Sequence, residues 1–157
     1  FEISRRLVTG LHERKAKVRS SGRVMGIAEN KQLVLDFYAA GARGDMDTCF
    51  ALLADDVTWT NIGSTKFSGT YRGKQAIAED LLGPLFSQLK AGISSQVERL
   101  TAEGDVVVAQ TSGTAETLDG TAYNNVYCQV MRIRDGQISD VKEYMDTALI
   151  NTVFGVD

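Results

Sequence analysis

The sequence has only one histidine in 157 residues, and this residue, His12, lies within the first 24. The rest of the chain therefore offers no imidazole to activate a serine or cysteine nucleophile. It also offers no histidine ligand for a metal ion, and its carboxylates do not cluster at ligand spacing. The glycines between residues 62 and 73 match neither a P-loop nor a dinucleotide fingerprint. The sequence thus predicts no metal and no cofactor.

Cysteines and long apolar runs are also scarce. The two cysteines, Cys49 and Cys128, do not form a C-x-x-C motif, so we expect both to be reduced. Reduced cysteines favour a cytoplasmic setting. No stretch approaches the roughly 18 apolar residues that a membrane span needs, so a membrane is not expected as a partner.

Charge is distributed unevenly along the chain. Residues 1–24 carry seven Lys or Arg and two Glu, a net charge of +5, whereas the remaining residues carry −8. An acidic body argues against nucleic acid as the main partner. The basic segment is compatible with nucleic-acid or lipid binding, with a transit-like leader, or with an extension of no functional weight, and we favour the last. The predicted division is therefore a basic extension over residues 1–24 and one domain over residues 25–157.

Hydrophobic periodicity predicts three helices and a series of strands. Apolar side chains recur every three to four residues in the helical segments, at about 28–43, 46–53 and 74–90. The third segment contains the only proline, in Gly83-Pro84, which should kink or split the helix. Alternating segments bounded by glycine predict strands at about 57–61, 70–71, 94–103, 105–117, 121–134 and 137–147. Asp-Gly pairs between the later segments indicate an antiparallel meander, so the fold class is α+β.

Several separated motifs carry a resemblance to a known superfamily. They are Phe37-Tyr38-Ala39-Ala40 through Gly44-Asp45-Met46-Asp47, Leu52 through Trp59, the Gly69…Gly73-Lys74…Ile77 loop, and Tyr127 through Asp146. In these motifs the chain resembles the SnoaL-like and nuclear transport factor 2-like proteins, which include ketosteroid isomerase and limonene epoxide hydrolase. The resemblance covers residues 28–150. It implies a cone-shaped α+β barrel, with three N-terminal helices packed on a curved, mostly antiparallel sheet.

The known sites of the superfamily can be compared with this chain. The positions that correspond to the tyrosine and the two aspartates of ketosteroid isomerase hold other residue types, namely Phe37, Asn61 and Gln129. Limonene epoxide hydrolase is more similar, because its water-holding Tyr-x-Asn and its aspartate resemble Trp59-Thr60-Asn61 and Asp146. The Arg-x-Asp of that enzyme corresponds to Gly113-Thr114-Ala115, so the acid half of its site is missing.

Strand periodicity predicts a pocket on the inner face of the sheet. Side chains alternate along a strand, so Trp59 and Asn61 share one face. The same alternation brings four residues of a later strand together, namely Asn125, Tyr127, Gln129 and Met131. The predicted pocket is completed by Phe37 and Tyr38 on the first helix and Tyr144 on the last strand.

Asp146, at the end of the last strand, is the predicted general base. A lone carboxylate among aromatic side chains is a candidate acid or base, because burial disfavours its charged form. Asn61, which would hold a water, and Tyr127 complete the predicted catalytic set, and the indole N–H of Trp59 would donate to Asp146. Two alternatives stay open: Asp146 caps the following turn, and Asn61 bonds to the neighbouring loop.

These residues favour a cofactor-independent enzyme acting on a small, apolar, oxygenated molecule. The reaction would be hydrolysis or hydration of an epoxide, or isomerisation or cyclisation next to a carbonyl. The alternatives are a non-catalytic protein that binds a lipophilic ligand, and a dimeric interaction module with a filled cone. The outer residues Val126, Cys128 and Val130 suit a sheet face covered by a partner subunit, as is frequent in this superfamily. We therefore expect a homodimer through that face.

Overall fold

The computed structural model describes residues 25–155. Its α-helices are α1 (Ile27–Ala42), α2 (Met46–Ala51), α3 (Gly73–Ala76), α4 (Gly83–Phe86) and α5 (Thr147–Phe154), and a π-helical segment, Ile77–Leu82, joins α3 to α4. Its strands are β1 (Leu53–Asn61), β2 (Gly69–Arg72), β3 (Ser94–Glu103), β4 (Val106–Glu116), β5 (Ala122–Arg134) and β6 (Gln137–Met145). The α+β class is confirmed. The predicted extension over residues 1–24 and His12 lie outside the described residues.

One six-stranded sheet, in the order β2-β1-β6-β5-β4-β3, organises the described residues. The β1–β6 pair is parallel and the other four pairs are antiparallel. The register shifts within the β1–β6, β3–β4 and β5–β6 pairs, and such irregularities bend a sheet. The sheet ends at β2 and β3, so the predicted cone is built from a bent open sheet and not from a closed barrel.

The meander lies where the sequence predicts it, with strand ends within two residues of the expected positions. Strand β1 differs, because it begins at Leu53 instead of residue 57. Leu53 is buried and pairs with Ile138 of β6, and its carbonyl accepts a hydrogen bond from Gln137 at 3.1 Å. Tertiary pairing therefore extends the strand through Asp55-Asp56, which local propensity assigned to the end of a helix.

The third predicted helix is interrupted, as Gly83-Pro84 indicated. The segment from Gly73 to Phe86 changes from π to α geometry at Gly83. Pro84 has no N–H to donate into the preceding turn, so regular α-helical bonding cannot continue through it. The π-helical segment buries Ile77, Ala78 and Leu81 against the rest of the protein.

Packing of the helices against the inner sheet face produces two hydrophobic clusters. The larger lies under α1 and α2 and includes Val34, Phe50, Met131 and Val141. The smaller lies at the other end, where α5 packs with Phe67 and Tyr123. Both cysteines are free thiols, Cys49 within the larger cluster and Cys128 partly exposed on the sheet. Across residues 25–155, no helix combines the length and the apolar character needed to cross a bilayer.

The outer face of the sheet carries exposed apolar side chains. Val126 is 62% exposed and Tyr144 is 43% exposed. Strand β5 pairs continuously with β4 from Ala122 to Arg132, so no bulge disturbs the predicted alternation of its two faces. The homodimer through this face stays a prediction.

Candidate active site

A cavity of about 310 Å³ lies between the helices and the inner face of the sheet. This volume is near the lower end of the roughly 300–1,000 Å³ typical of small-molecule sites. Most of the lining side chains are apolar or aromatic, including those of Phe37, Phe50, Trp59, Leu81 and Phe86. The described residues that line it include no lysine, arginine or histidine. Nor do residues 25–155 contain a group of three His, Cys, Asp or Glu side chains arranged as a metal site.

Glu143 supplies the only carboxylate among the described residues that line the cavity. Strand β6 runs between β1 and β5, so Glu143 lies opposite Asn61 on one side and Gln129 on the other. Gln129 Nε2 donates a hydrogen bond to Glu143 Oε2. The second carboxylate oxygen, Oε1, has no partner within residues 25–155 and is not among their fully buried unpaired atoms. This oxygen is therefore open to the cavity.

The surroundings of Glu143 bring the pKa of its carboxyl group close to neutral pH. Burial raises the pKa of Glu143 from 4.5 to about 7, and the hydrogen bond from Gln129 acts in the opposite direction. Neither strand neighbour is a basic residue that would hold the carboxylate in its charged form. A carboxyl group with a pKa near the working pH is well matched to accept and return a proton.

Two tyrosines, Tyr38 and Tyr127, are among the residues that line the cavity. Burial raises the pKa of Tyr38, on α1, and the charge of Glu143 adds to this effect, so the hydroxyl stays protonated and can donate. Tyr38 Oη is fully buried and makes no hydrogen bond of regular geometry within residues 25–155, and the Thr111 side chain is close enough to interact with it and lower its pKa. The hydroxyl of Tyr127 is already engaged, because it donates to Tyr123 Oη at 3.1 Å.

Six of the site residues predicted from the sequence line this cavity: Phe37, Tyr38, Trp59, Asn61, Tyr127 and Gln129. The hydrogen bonds of two of them differ from the expectation. Trp59 Nε1 donates to Asn61 Oδ1 at 3.0 Å, not to Asp146. Asn61 Nδ2 donates to the carbonyl of Phe67 at 3.1 Å. The amide is thus held by its neighbours, as the alternative of a strand-end asparagine bonded to the adjacent loop predicted.

The position expected for Asp146 is corrected by the structure. Its carboxylate accepts a hydrogen bond from the backbone N–H of Leu149 at 3.1 Å and caps the N-terminus of α5. Asp146 is not among the residues that line the cavity. The alternative in which Asp146 caps the following turn is therefore the observed geometry, and that turn is the first turn of an eight-residue helix.

Three residues predicted for the pocket also lie elsewhere. Asn125 binds the backbone of Asp146 through both ends of its amide, at 3.1 Å in each case, and thereby ties α5 to β5. Met131 is fully buried in the larger cluster. Tyr144 points to the outer face, because it alternates with Glu143 along β6. None of the three is among the lining residues.

Glu143 is the site residue that the sequence interpretation missed. The signal was present in the alternation of β6, where Val141, Glu143 and Met145 share one face. Val141 is fully buried, so a glutamate two residues later on the same face is an inward-facing charge. An inward-facing carboxylate on an otherwise apolar sheet face is a candidate for a functional site, because burying an unpaired carboxylate costs free energy of folding.

Comparison with known proteins places this chain in a family. The model of the SnoaL-like domain matches residues 34–141, more than two thirds of the sequence. The chain belongs to the SnoaL-like family. None of the curated protein sequences matches it.

Solved structures confirm the fold of this SnoaL-like protein. An NTF2-like protein of unknown function from Burkholderia pseudomallei K96243 aligns with a TM-score of 0.73 and 20% identity, over 82% of this chain and 98% of its own. An NTF2-like protein from Burkholderia xenovorans LB400 gives 0.66 and 26%, over 82% and 97%. A protein with a ketosteroid isomerase-like fold from Catenulispora acidiphila DSM 44928 gives 0.66 and 15%, over 80% and 94%. The suspected superfamily is confirmed, and the activity is not decided by it.

In this SnoaL-like domain the position of Tyr127 depends on Gly113. A Cβ atom at Gly113 would lie 2.8 Å from Ile93 Cγ2 and 2.9 Å from Tyr127 Cε2. We expect Gly113→Ala to lower the free energy of unfolding by about 1–3 kcal/mol, because both neighbours must shift in a packed interior. Urea denaturation measures this change. Gly92→Ala is the matched control, because Gly92 lies in the cavity wall directly before Ile93 and a Cβ there meets nothing within 4 Å. Equal stability of the two variants would show that the Tyr127 ring is not tightly held.

Proposed function

We propose that this SnoaL-like protein is a cofactor-independent enzyme that moves a proton on a small, apolar, oxygenated molecule, next to a carbonyl group. The observation that carries the proposal is a single buried carboxylate, Glu143, which faces a largely apolar cavity with a pKa of about 7. The reaction class is isomerisation or cyclisation through an enolate. Glu143 takes the role that the sequence suggested for Asp146.

The chemistry uses two side chains of the cavity wall, Glu143 and Tyr38. Glu143 Oε1 accepts a proton from the carbon beside the carbonyl, and negative charge develops on the carbonyl oxygen. The Tyr38 hydroxyl, whose raised pKa keeps it protonated, is the donor to that oxygen in this proposal, and the bond requires the fully buried Tyr38 Oη to move into the cavity when the ligand binds. A hydrogen bond that strengthens as charge develops lowers the barrier. Return of the proton to another atom of the same molecule completes the isomerisation.

Hydrolysis of an epoxide has less support from the geometry. It requires a held water and an acid for the epoxide oxygen, and the amide of Asn61 already bonds to Trp59 and Phe67. A non-catalytic binding protein is the second candidate function, and the predominance of apolar lining side chains favours it. It predicts binding of ketones with no proton exchange. The filled cone of an interaction module does not agree with a cavity of about 310 Å³ among the described residues.

The pH dependence of proton exchange tests the proposal. Deuterium uptake at the carbon beside the carbonyl of acetophenone, followed by NMR in D₂O, should accelerate in the presence of protein. Because the ionised form of Glu143 is the base, the rate should rise about tenfold per pH unit below about 7 and level off above it. A protein-free sample at each pH gives the background. Binding of acetophenone without accelerated exchange at any pH would favour the second candidate function.

A further inference from the structure

The carboxylate of Glu143 has no opposite charge to pair with among the described residues. The ion pairs within residues 25–155 join other side chains, and the described residues that line the cavity include no lysine, arginine or histidine. Gln129 donates to Glu143 Oε2, and Oε1 is left open to the cavity. Burial of an unpaired charge is strongly unfavourable. A positively charged group on a ligand would supply the missing partner.

Aromatic side chains lie on both sides of Glu143 along the inner face of the sheet. On β1, Trp59 lies two residues before Asn61, which pairs with Glu143. On β5, Tyr127 lies two residues before Gln129, which pairs with Glu143 from the other side. Aromatic side chains at such diagonal positions are within reach of a neighbouring strand. Both aromatic residues line the cavity, and aromatic faces attract cations, tryptophan most strongly.

The remaining wall suits the apolar part of a cationic ligand, since Phe50 and Leu81 are among its side chains. We infer that the cavity binds apolar amines in their protonated form, with the ammonium group at Glu143 Oε1, between Trp59 and Tyr127. This inference goes beyond the proposed function, because the amine is held by its charge and is not converted. It occupies the oxygen that would otherwise accept a proton from a ketone.

Proton release gives this mode of binding a distinct signature. Tyr38, Cys49 and Tyr127 are the other titratable side chains of the described wall, and burial raises the pKa of each, that of Cys49 to about 11. Burial also raises the pKa of Tyr123, the hydrogen-bond partner of Tyr127. Glu143, with a pKa of about 7, is therefore the described lining group that titrates near neutral pH. A primary ammonium group, like that of lysine, keeps its proton below about pH 9, so binding below pH 7 should expel the proton of Glu143.

Three phenyl compounds of similar size test the inference with the full chain. They are the cation phenethylamine, the uncharged phenethyl alcohol and the anion hydrocinnamate. Isothermal titration calorimetry at pH 8 should show phenethylamine binding about 10–100-fold more tightly than phenethyl alcohol, because the ammonium group pairs with a buried carboxylate. Hydrocinnamate should bind most weakly. Equal affinity of the amine and the alcohol, a preference for hydrocinnamate, or no binding of phenethylamine would overturn the inference.

The pH dependence of the same titrations gives a second readout. The affinity for phenethylamine should fall about tenfold per pH unit below about 7, whereas the affinity for phenethyl alcohol should stay nearly constant. Titrations at pH 6 in buffers of different ionisation enthalpy should show release of about one proton per amine bound. Binding of the amine without proton release would contradict an ammonium group at Glu143.

Two variants assign the contact. Glu143→Gln removes the charge with little change in shape, so the preference for phenethylamine and its pH dependence should disappear. Asp146→Asn is the matched control, because Asp146 is not among the lining residues, and this variant should keep both. A preference that survives in Glu143→Gln would reflect the acidic protein surface and would overturn the inference. The pH dependence and the proton release of the unsubstituted protein need neither variant to fold.

The outcomes separate this ligand class from catalysis. Binding of phenethylamine with proton release, but without accelerated proton exchange on acetophenone, would keep the inference and reject the proposed function. Accelerated exchange without a preference for phenethylamine would keep the function and reject the inference. If both are correct, phenethylamine should inhibit the exchange competitively, because amine and ketone need the same oxygen of Glu143.

Discussion

Replacing Glu143 by glutamine should reduce protein-catalysed proton exchange about 10²–10⁴-fold, the usual contribution of a general base. Glutamine has nearly the same shape and cannot take a proton from carbon at neutral pH. The affinity for acetophenone should change only a few-fold, because the apolar contacts that bind the ring remain. NMR exchange rates and calorimetric titration of the same preparation measure the two effects separately.

Asp146 provides the matched control for this prediction. Asp146→Asn keeps a good N-cap acceptor for α5, so both exchange rate and stability should be close to those of the unsubstituted protein. Asp146→Ala should lower the free energy of unfolding by about 1 kcal/mol and leave the exchange rate of the folded protein unchanged. If Asp146→Asn loses activity while Glu143→Gln keeps it, the sequence-based choice of base is right and the geometric choice is wrong.

The contrast between these two carboxylates shows what the sequence could determine about the site. Alternation alone placed Tyr127 and Gln129 on the inner face, since β5 pairs with β4 without a bulge. The same alternation places Glu143, two residues beyond the buried Val141, on the inner face of β6. The resemblance to limonene epoxide hydrolase instead suggested Asp146, at the predicted end of the strand. The strand ends at Met145, and Asp146 takes helical-cap geometry at the point where α5 begins.

The remaining differences have the same origin in tertiary context. Helix α5 has its own N-cap residue, Asp146. Eight residues are nevertheless too few to form a stable helix through local propensity alone, so α5 depends on the packing of Ile150 and Phe154. Strand β1 extends through Asp55-Asp56 because the parallel partner β6 pairs with Leu53. The bonds of Asn61 to Trp59 and Phe67 connect residues close in sequence, yet only the folded loop shows that both ends of the amide are occupied.

Glu143 should also make the protein less stable as the pH rises, whatever the substrate is. Its pKa is about 7 in the fold and 4.5 ordinarily, so the folded state binds the proton more tightly. The stabilisation that comes from this tighter proton binding is fully present below about pH 4.5 and is lost as the pH rises through about 7. At about 1.36 kcal/mol per pH unit, the loss is about 3 kcal/mol. Urea denaturation between pH 4.5 and 8 should show this fall, and Glu143→Gln should lack it.

The difference between Glu143→Gln and the unsubstituted protein isolates this carboxyl group from other titrations. Asp45 and Asp119 have lowered pKa values because threonine hydroxyl groups and backbone N–H groups donate to them, so they stabilise the fold above their ordinary pKa. Their contribution is lost only in more acidic solution, outside the range of Glu143. If Glu143 is a base that is buried for function, Glu143→Gln should be more stable than the unsubstituted protein at pH 8 and inactive at every pH. Groups that are buried for function lower the stability of a protein. If Glu143→Gln is instead less stable than the unsubstituted protein at pH 8, the hydrogen bond to Gln129 is a structural contact that outweighs the burial of the charge.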